Sequence, residues 1–175
     1  MSNLDALNFA LLLSRVWIAI MIFAHGYRHV KSIQSGPGMA NWFESLGLKP
    51  GRLHAWVVTL TEVTLPFLLL FGLFTPLAYG GVCALMVVAW LTNHLRNGFF
   101  LNTSTEGYEY VATVAVVSIT LGTLGAGEWS LDDALDLYFY NHLAQSLAIT
   151  AILGVGGALA FLAIFWRPPK RDAAS

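Results

Sequence analysis

Five long runs of apolar residues dominate this sequence and leave it few ways to fold. A helix needs about 20 mainly apolar residues to cross the hydrocarbon core, and none of the runs alternates as a barrel strand does. Backbone amides cannot stay unpaired in lipid, so each run is predicted to be a transmembrane helix. The predicted fold class is an all-α integral membrane protein, a bundle of five transmembrane helices. The runs cover about residues 7–24, 55–74, 77–91, 110–124 and 143–166.

Composition excludes several classes of protein. Of the 175 residues, 57% are hydrophobic and 11% are charged, whereas soluble domains carry about 25% charged residues. Nine Lys and Arg against ten Asp and Glu leave no basic surface for a nucleic acid. A single cysteine, Cys83, excludes a disulfide framework, a Cys-x-x-Cys pair and a thiolate-rich metal site. The sequence also lacks hydrolase and phosphate-loop motifs, which counts against an independent hydrolase or a nucleotide-driven pump.

Charge distribution predicts the orientation. With five spans, eight basic residues fall on one side, which is cytoplasmic by the positive-inside rule, whereas four spans would scatter them. The N-terminus is then outside and the C-terminus in the cytoplasm. These basic residues are Arg28, Lys31, Lys49, Arg52, Arg96, Arg167, Lys170 and Arg171. The acidic residues assigned to the opposite side are Asp5, Glu128, Asp132, Asp133 and Asp136.

Two segments between the runs are predicted to lie at the membrane interfaces. Residues 38–47 have the pattern of a short amphipathic helix or turn. On the opposite side, Ser130 and Asp133 form an N-cap signature, after which Leu131 and the following apolar residues share one face and Asp132 points elsewhere. Residues 138–140, Tyr-Phe-Tyr, suit the aromatic belt.

Small residues indicate close helix contacts. Gly80-x-x-x-Ala84 and Gly154-x-x-x-Ala158 would let helix backbones approach one another, either within the monomer or across a homo-oligomer.

Ionisable residues inside the apolar runs are the candidate site, since each costs about 2.5–3.5 kcal/mol on insertion scales. Helix rise places Arg15 and Glu62 at similar depths, which predicts an ion pair between them. His94 and Glu109 flank a short loop and are expected to pair, with His25 nearby. The alternative is that these residues only hold helices together. His54 and His142 are expected at interfaces as polar tips.

A polar cavity open to the cytoplasm in an apolar bundle would suit a quinone, whose ring carbonyls need hydrogen-bond donors. Haem ligation by His25 and His94, or a metal site formed by these two with Glu109, are weaker alternatives. We expect no metal and no covalent cofactor, and the sequence assigns no catalytic residue.

Several motifs resemble the DoxX family of small bacterial membrane proteins. The resemblance covers about residues 7–136, and its most specific parts are the H-x-x-x-G-F-F and G-x-E motifs. The matching segments are Arg15, His25-Gly26, Gly47-Leu48, Glu62, Gly72–Pro76, Asn93-His94, Asn97–Phe100, Gly107–Tyr110 and Leu124–Asp132.

The resemblance implies a four-helix membrane domain over residues 1–136, to which this chain adds residues 137–175 as a fifth helix and a short basic tail. It implies a bacterial inner-membrane protein, similar to a membrane subunit of a thiosulfate:quinone oxidoreductase or to membrane partners of detoxifying enzymes. The expected function is a quinone- or redox-linked subunit that works with a soluble or peripheral oxidoreductase at the cytoplasmic face. A non-catalytic scaffold for such enzymes is the alternative, and a small-molecule transporter is a weaker one. The family-like polar positions are Arg15, His25, Glu62, His94 and Glu109.

Overall fold

The computed structural model describes residues 2–102, 106–137 and 142–169, and the regular elements within these residues are helices. This confirms the predicted all-α class. The helices are α1 Asn3–Gln34, α2 Gly38–Ser45, α3 Gly51–Phe71, α4 Thr75–Ala89, α5 Glu109–Leu124, α6 Leu131–Ala134, α7 Leu143–Ala151 and α8 Gly157–Phe165.

Four helices in the described residues are long and apolar enough to cross a membrane. Two of them are α1 and α3. The third, Thr75–Asn97, extends α4 through a π turn and a 3-10 turn, and the fourth, Leu143–Phe165, joins α7 and α8 through a π turn. Helix α5 has 16 residues, or about 24 Å at 1.5 Å per residue, which is less than a typical hydrocarbon core. The five-span topology therefore stays a prediction.

Helix α1 continues beyond its apolar run. The run ends near Ala24, but the helix continues to Gln34 and carries His25 and His29 on its last turns. At its start, Ser2 and Asp5 form a capping box: the Ser2 hydroxyl accepts from the Asp5 amide at 3.1 Å, and the Asp5 carboxylate accepts from the Ser2 amide at 2.9 Å. The 32-residue length of α1 brings ionisable side chains to both ends of the bundle.

The end of the bundle that holds the α3–α4 turn is closed by α6. Ser130 caps α6 as predicted, accepting a hydrogen bond from the Asp133 amide at 3.2 Å. The prediction that Asp132 points away from the bundle is wrong. Its carboxylate is buried and accepts from the amides of Phe74 and Thr75, at 2.6 and 2.9 Å, which caps the start of α4. Residues 138–140 lie outside the described residues.

The last helix packs inside the chain against α4. A Cβ on Gly154 would lie 2.7 Å from the Cβ and Sγ atoms of Cys83, and one on Gly80 would lie 3.1 Å from Leu153. The two small-residue motifs therefore provide helix contacts within the monomer.

The C-terminal end of α8 lies at the α2 end of the bundle. The Arg167 amide donates to the Gly47 carbonyl at 2.8 Å, and the Trp166 indole donates to the Leu46 carbonyl at 2.8 Å. Residues 38–45 are helical as predicted. Arg167 thus lies at the same end as the basic residues before α3, while Asp132 lies at the other end.

Candidate functional site

A cavity of about 590 Å³ lies at the basic end of the bundle. Its walls come from the last turns of α1, from α2, from α3 up to its middle, and from the end of α4. The loop after α4 and the first turn of α5 complete the lining. The apolar part of the lining includes Met39, Trp42, Phe43, Val58, Leu85 and Met86. The polar part includes His25, Arg28, His29, Glu62, Asn93, His94, Glu106 and Tyr110.

Glu62 is the most buried acidic side chain of this cavity. Its side chain is 8% exposed, and it projects from the middle of α3 beside Gly26 of α1. Gly26 makes this approach possible, because a Cβ there would lie 3.0 Å from the Glu62 backbone. One turn further along α1, the Nδ1 atom of His29 lies 2.5 Å from the Glu62 Oε2 atom. The partner of Glu62 is therefore His29, which was not among the predicted site residues.

The predicted ion pair between Arg15 and Glu62 is wrong. The Arg15 guanidinium donates to the carbonyls of Trp129, at 2.6 Å, and Leu69, at 3.4 Å, at the opposite end of the bundle from the cavity. Arg15 precedes Gly26 by eleven residues, or about 16 Å along the helix, and Gly26 is the residue that contacts Glu62. The predicted pair is wrong because α1 continues to Gln34, about ten residues past its apolar run, so the end of that run does not mark the end of the helix.

His94 and Glu109 do not pair as predicted. The Nδ1 atom of His94 lies 2.7 Å from the Glu106 carbonyl oxygen, and the Glu109 carboxylate instead accepts from the Leu101 amide at 2.8 Å. His94 lines the cavity but Glu109 does not. Glu106 supplies the acidic group there, with its carboxylate 3.3 Å from the Asn93 amide nitrogen.

Tyr110 lines the inner part of the cavity together with Glu62 and His29. Its hydroxyl donates to the Met21 sulfur at 2.8 Å, and a thioether is only a weak acceptor. Tyr110 and Glu62 also interact electrostatically. The inner end of the cavity therefore presents a phenol, an imidazole and a carboxylate among apolar walls.

His54 differs from its predicted place at an interface. It is 1% exposed, and its ring packs edge-on against Phe161 and Phe165, with centroids 5.3 and 5.2 Å apart. His142, by contrast, is exposed at the start of α7. Among the described residues, no three His, Cys, Asp or Glu side chains converge as a metal site. The cavity is thus amphipathic, with hydrogen-bonding groups beside apolar walls and no cluster of metal ligands among the described residues.

Most residues that line this cavity lie in a segment that matches a protein family. The family model DoxX matches residues 10–95. Residues 10–95 form a DoxX domain. An uncharacterized protein of Haemophilus influenzae is 32% identical over 100 residues, which cover 53% of this chain and 65% of that relative. The match thus spans just under two thirds of that relative's length. No solved structure matches the chain.

The DoxX domain contains four of the five predicted site residues, Arg15, His25, Glu62 and His94, as well as His29. Three of the four, all but Arg15, line the cavity with His29. Glu106, Glu109 and the helices α5 to α8 lie beyond the match. The DoxX domain thus holds the His29–Glu62 contact, while the residues after it close the cavity and pack against α4.

Proposed function

We propose that this multi-pass membrane protein binds a lipophilic molecule with a hydrogen-bonding head, such as a quinone, and acts as a redox-linked membrane subunit. The observation that supports this best is the cavity of about 590 Å³, with apolar walls and the His29–Glu62 pair at its inner end. Ligand sites of about 300–1,000 Å³ with mostly apolar walls and a few polar groups are typical for small lipophilic molecules.

The proposed redox role calls for a protein partner, because the part of the chain that the structure describes is a helical bundle and holds no soluble domain. Exposed basic residues surround the cavity end of the bundle and would attract an acidic surface of a soluble or peripheral oxidoreductase. These exposed basic residues are Arg28, Lys31, Lys49, Arg52, Arg96 and Arg167.

The ligand is tested by filling the cavity. We expect the protein purified in a mild detergent to retain quinone, and Ala89→Trp, which places an indole in the cavity lining, to lower the retained amount about tenfold, equivalent to about 1.4 kcal/mol. Mass spectrometry of the extracted lipid measures it. The matched control is Ala160→Trp, on an exposed position of α8.

Equal retention by wild type and Ala89→Trp would contradict binding in this cavity. Failure of the wild type to bind even added quinone would contradict the proposed ligand and favour a scaffold without redox chemistry.

We also propose that the basic end faces the cytoplasm of a bacterial cell and that the N-terminus is outside. Cys83 is fully buried, so a maleimide should label a new surface cysteine and not Cys83. We expect an impermeant maleimide added to spheroplasts to label Ser2→Cys and not Lys49→Cys, and inverted vesicles to show the reverse. Labelling of Lys49→Cys from the outside would refute this orientation.

A further inference from the structure

We propose that His29 is the residue that binds the polar head of the cavity's ligand, by donating a hydrogen bond from Nε2 to a carbonyl oxygen, and that Glu62 is its positioning residue. This inference rests on the proposed function, because it concerns the same cavity. It defines the ligand's head as a hydrogen-bond acceptor.

The contact with Glu62 fixes the orientation of the His29 ring. The Nδ1 atom lies 2.5 Å from the Glu62 Oε2 atom, and both atoms are shielded from solvent. An uncompensated carboxylate is costly at this depth, so Glu62 keeps a partner that can share a proton with it. Nδ1 is therefore committed to Glu62, and the ring has one nitrogen left for a ligand.

The remaining nitrogen, Nε2, is not shielded as Nδ1 is. His29 lines the cavity and its side chain is 26% exposed, in contrast to its shielded Nδ1 atom. No hydrogen bond from a described residue engages Nε2, which distinguishes His29 from His94, whose two ring nitrogens lie within hydrogen-bond distance of Glu106 and Asn93. Nε2 is thus the free ring nitrogen of the pair.

Proton sharing in the pair explains why Nε2 would donate. When the pair holds two protons, one lies between Nδ1 and Oε2 and the other is on Nε2. This holds whether the shared proton is bonded to the histidine or to the glutamate. The Nε2–H group then points into an apolar cavity, where a hydrogen bond is electrostatically stronger than in water. A carbonyl oxygen of a lipophilic molecule is an acceptor that fits this donor.

A comparison within α1 isolates this role. His25 lies one turn before His29 and also lines the cavity, but it is exposed and makes no ion pair with a described carboxylate. His25→Phe and His29→Phe therefore remove the same ring nitrogens from one helix face, and only the second removes the nitrogen held by Glu62.

The test uses the full chain in detergent and a short-chain benzoquinone labelled with ¹³C at its carbonyl carbons. In the wild type we expect the infrared carbonyl band of the bound quinone to lie at lower frequency than in detergent alone, because a hydrogen bond weakens the C=O bond. In His29→Phe we expect the band to return towards its free position and the dissociation constant to rise about tenfold. We expect His25→Phe to keep the lowered carbonyl band, because it leaves the His29–Glu62 contact in place. His142→Phe, at an exposed position outside the cavity lining, is the control and should match the wild type in both measurements.

A second variant covers the case in which His29→Phe fails to fold. Glu62→Gln keeps the His29 ring but removes the carboxylate that orients it, so we expect a broadened carbonyl band and weaker binding. A wild-type band in either variant would overturn the role of His29 while leaving quinone binding intact. Absence of quinone binding in the wild type would instead overturn the proposed function.

Discussion

Arg15→Met is expected to destabilise the folded protein by about 3–5 kcal/mol, the usual cost of removing one partner from a buried charged network. Arg15 is 1% exposed, and its guanidinium donates to the Trp129 carbonyl at 2.6 Å. Methionine fills much of the same space but donates no hydrogen bond. The Trp129 carbonyl would then lose its bond to this side chain, and the nearby Asp132 carboxylate would lose the cation with which it interacts.

The effect is large because Arg15 donates both to the last turn of α3 and to the segment that precedes α6. Leu69 lies in the last turn of α3 and Trp129 precedes α6. The Gly72 turn packs so closely against the guanidinium that a Cβ on Gly72 would overlap it. Gly72 adopts a φ of 60°, a left-handed conformation that suits glycine. Loss of Arg15 should therefore loosen the α3–α4 turn and α6 together.

Thiol reactivity measures this destabilisation directly. The only cysteine, Cys83, is fully buried in the core, so a thiol-reactive dye reports unfolding during heating. We expect the melting temperature of Arg15→Met to fall by about 10 °C, since 1 kcal/mol corresponds to about 2–4 °C for a chain of this size. Arg28→Met, on an exposed position of the same helix, is the control and should melt as the wild type does. Equal melting of the two variants would contradict the structural role of Arg15.

Arg15 and Glu62 also show what the sequence could predict about the site. An ionisable side chain within an apolar run is costly, so both residues could be identified as buried without a structure. Their partners depend on axial register and on helix rotation, which hydropathy does not report. His29 lies beyond the apolar run of α1. The composition of that segment is as compatible with a polar loop, which was expected there, as with the helix that the structure shows.

The contacts of acidic residues at the helix ends could not be predicted from the sequence for a different reason. Asp132 and Asp133 are adjacent and chemically equivalent, yet only Asp132 is buried, because it caps α4 from a segment more than fifty residues away. Glu106 and Glu109 likewise flank one turn, and only Glu106 lines the cavity. Local patterns predicted the Ser130 cap of α6 correctly because this N-cap is a contact within one turn. Long-range capping has no such local signature.

Gly154→Ile should cause the second large loss of stability, because there is no room for a side chain where the last helix crosses α4. A Cβ at Gly154 would lie 2.7 Å from Cys83, and overpacking of a tight core costs about 1–3 kcal/mol.

A matched control is available in the same π turn. A Cβ on Gly156 would lie 4.0 Å from its nearest neighbour, an Ile152 methyl, so Gly156→Ile should be tolerated. If Leu143–Phe165 packs against α4 as described, Gly154→Ile should lower the melting temperature and raise the rate at which a thiol reagent modifies Cys83 in the folded protein, while Gly156→Ile should change neither. Similar Cys83 reactivity in both variants would mean that the last helix does not cover α4, and the small-residue motifs would then be available for contacts between copies of the chain.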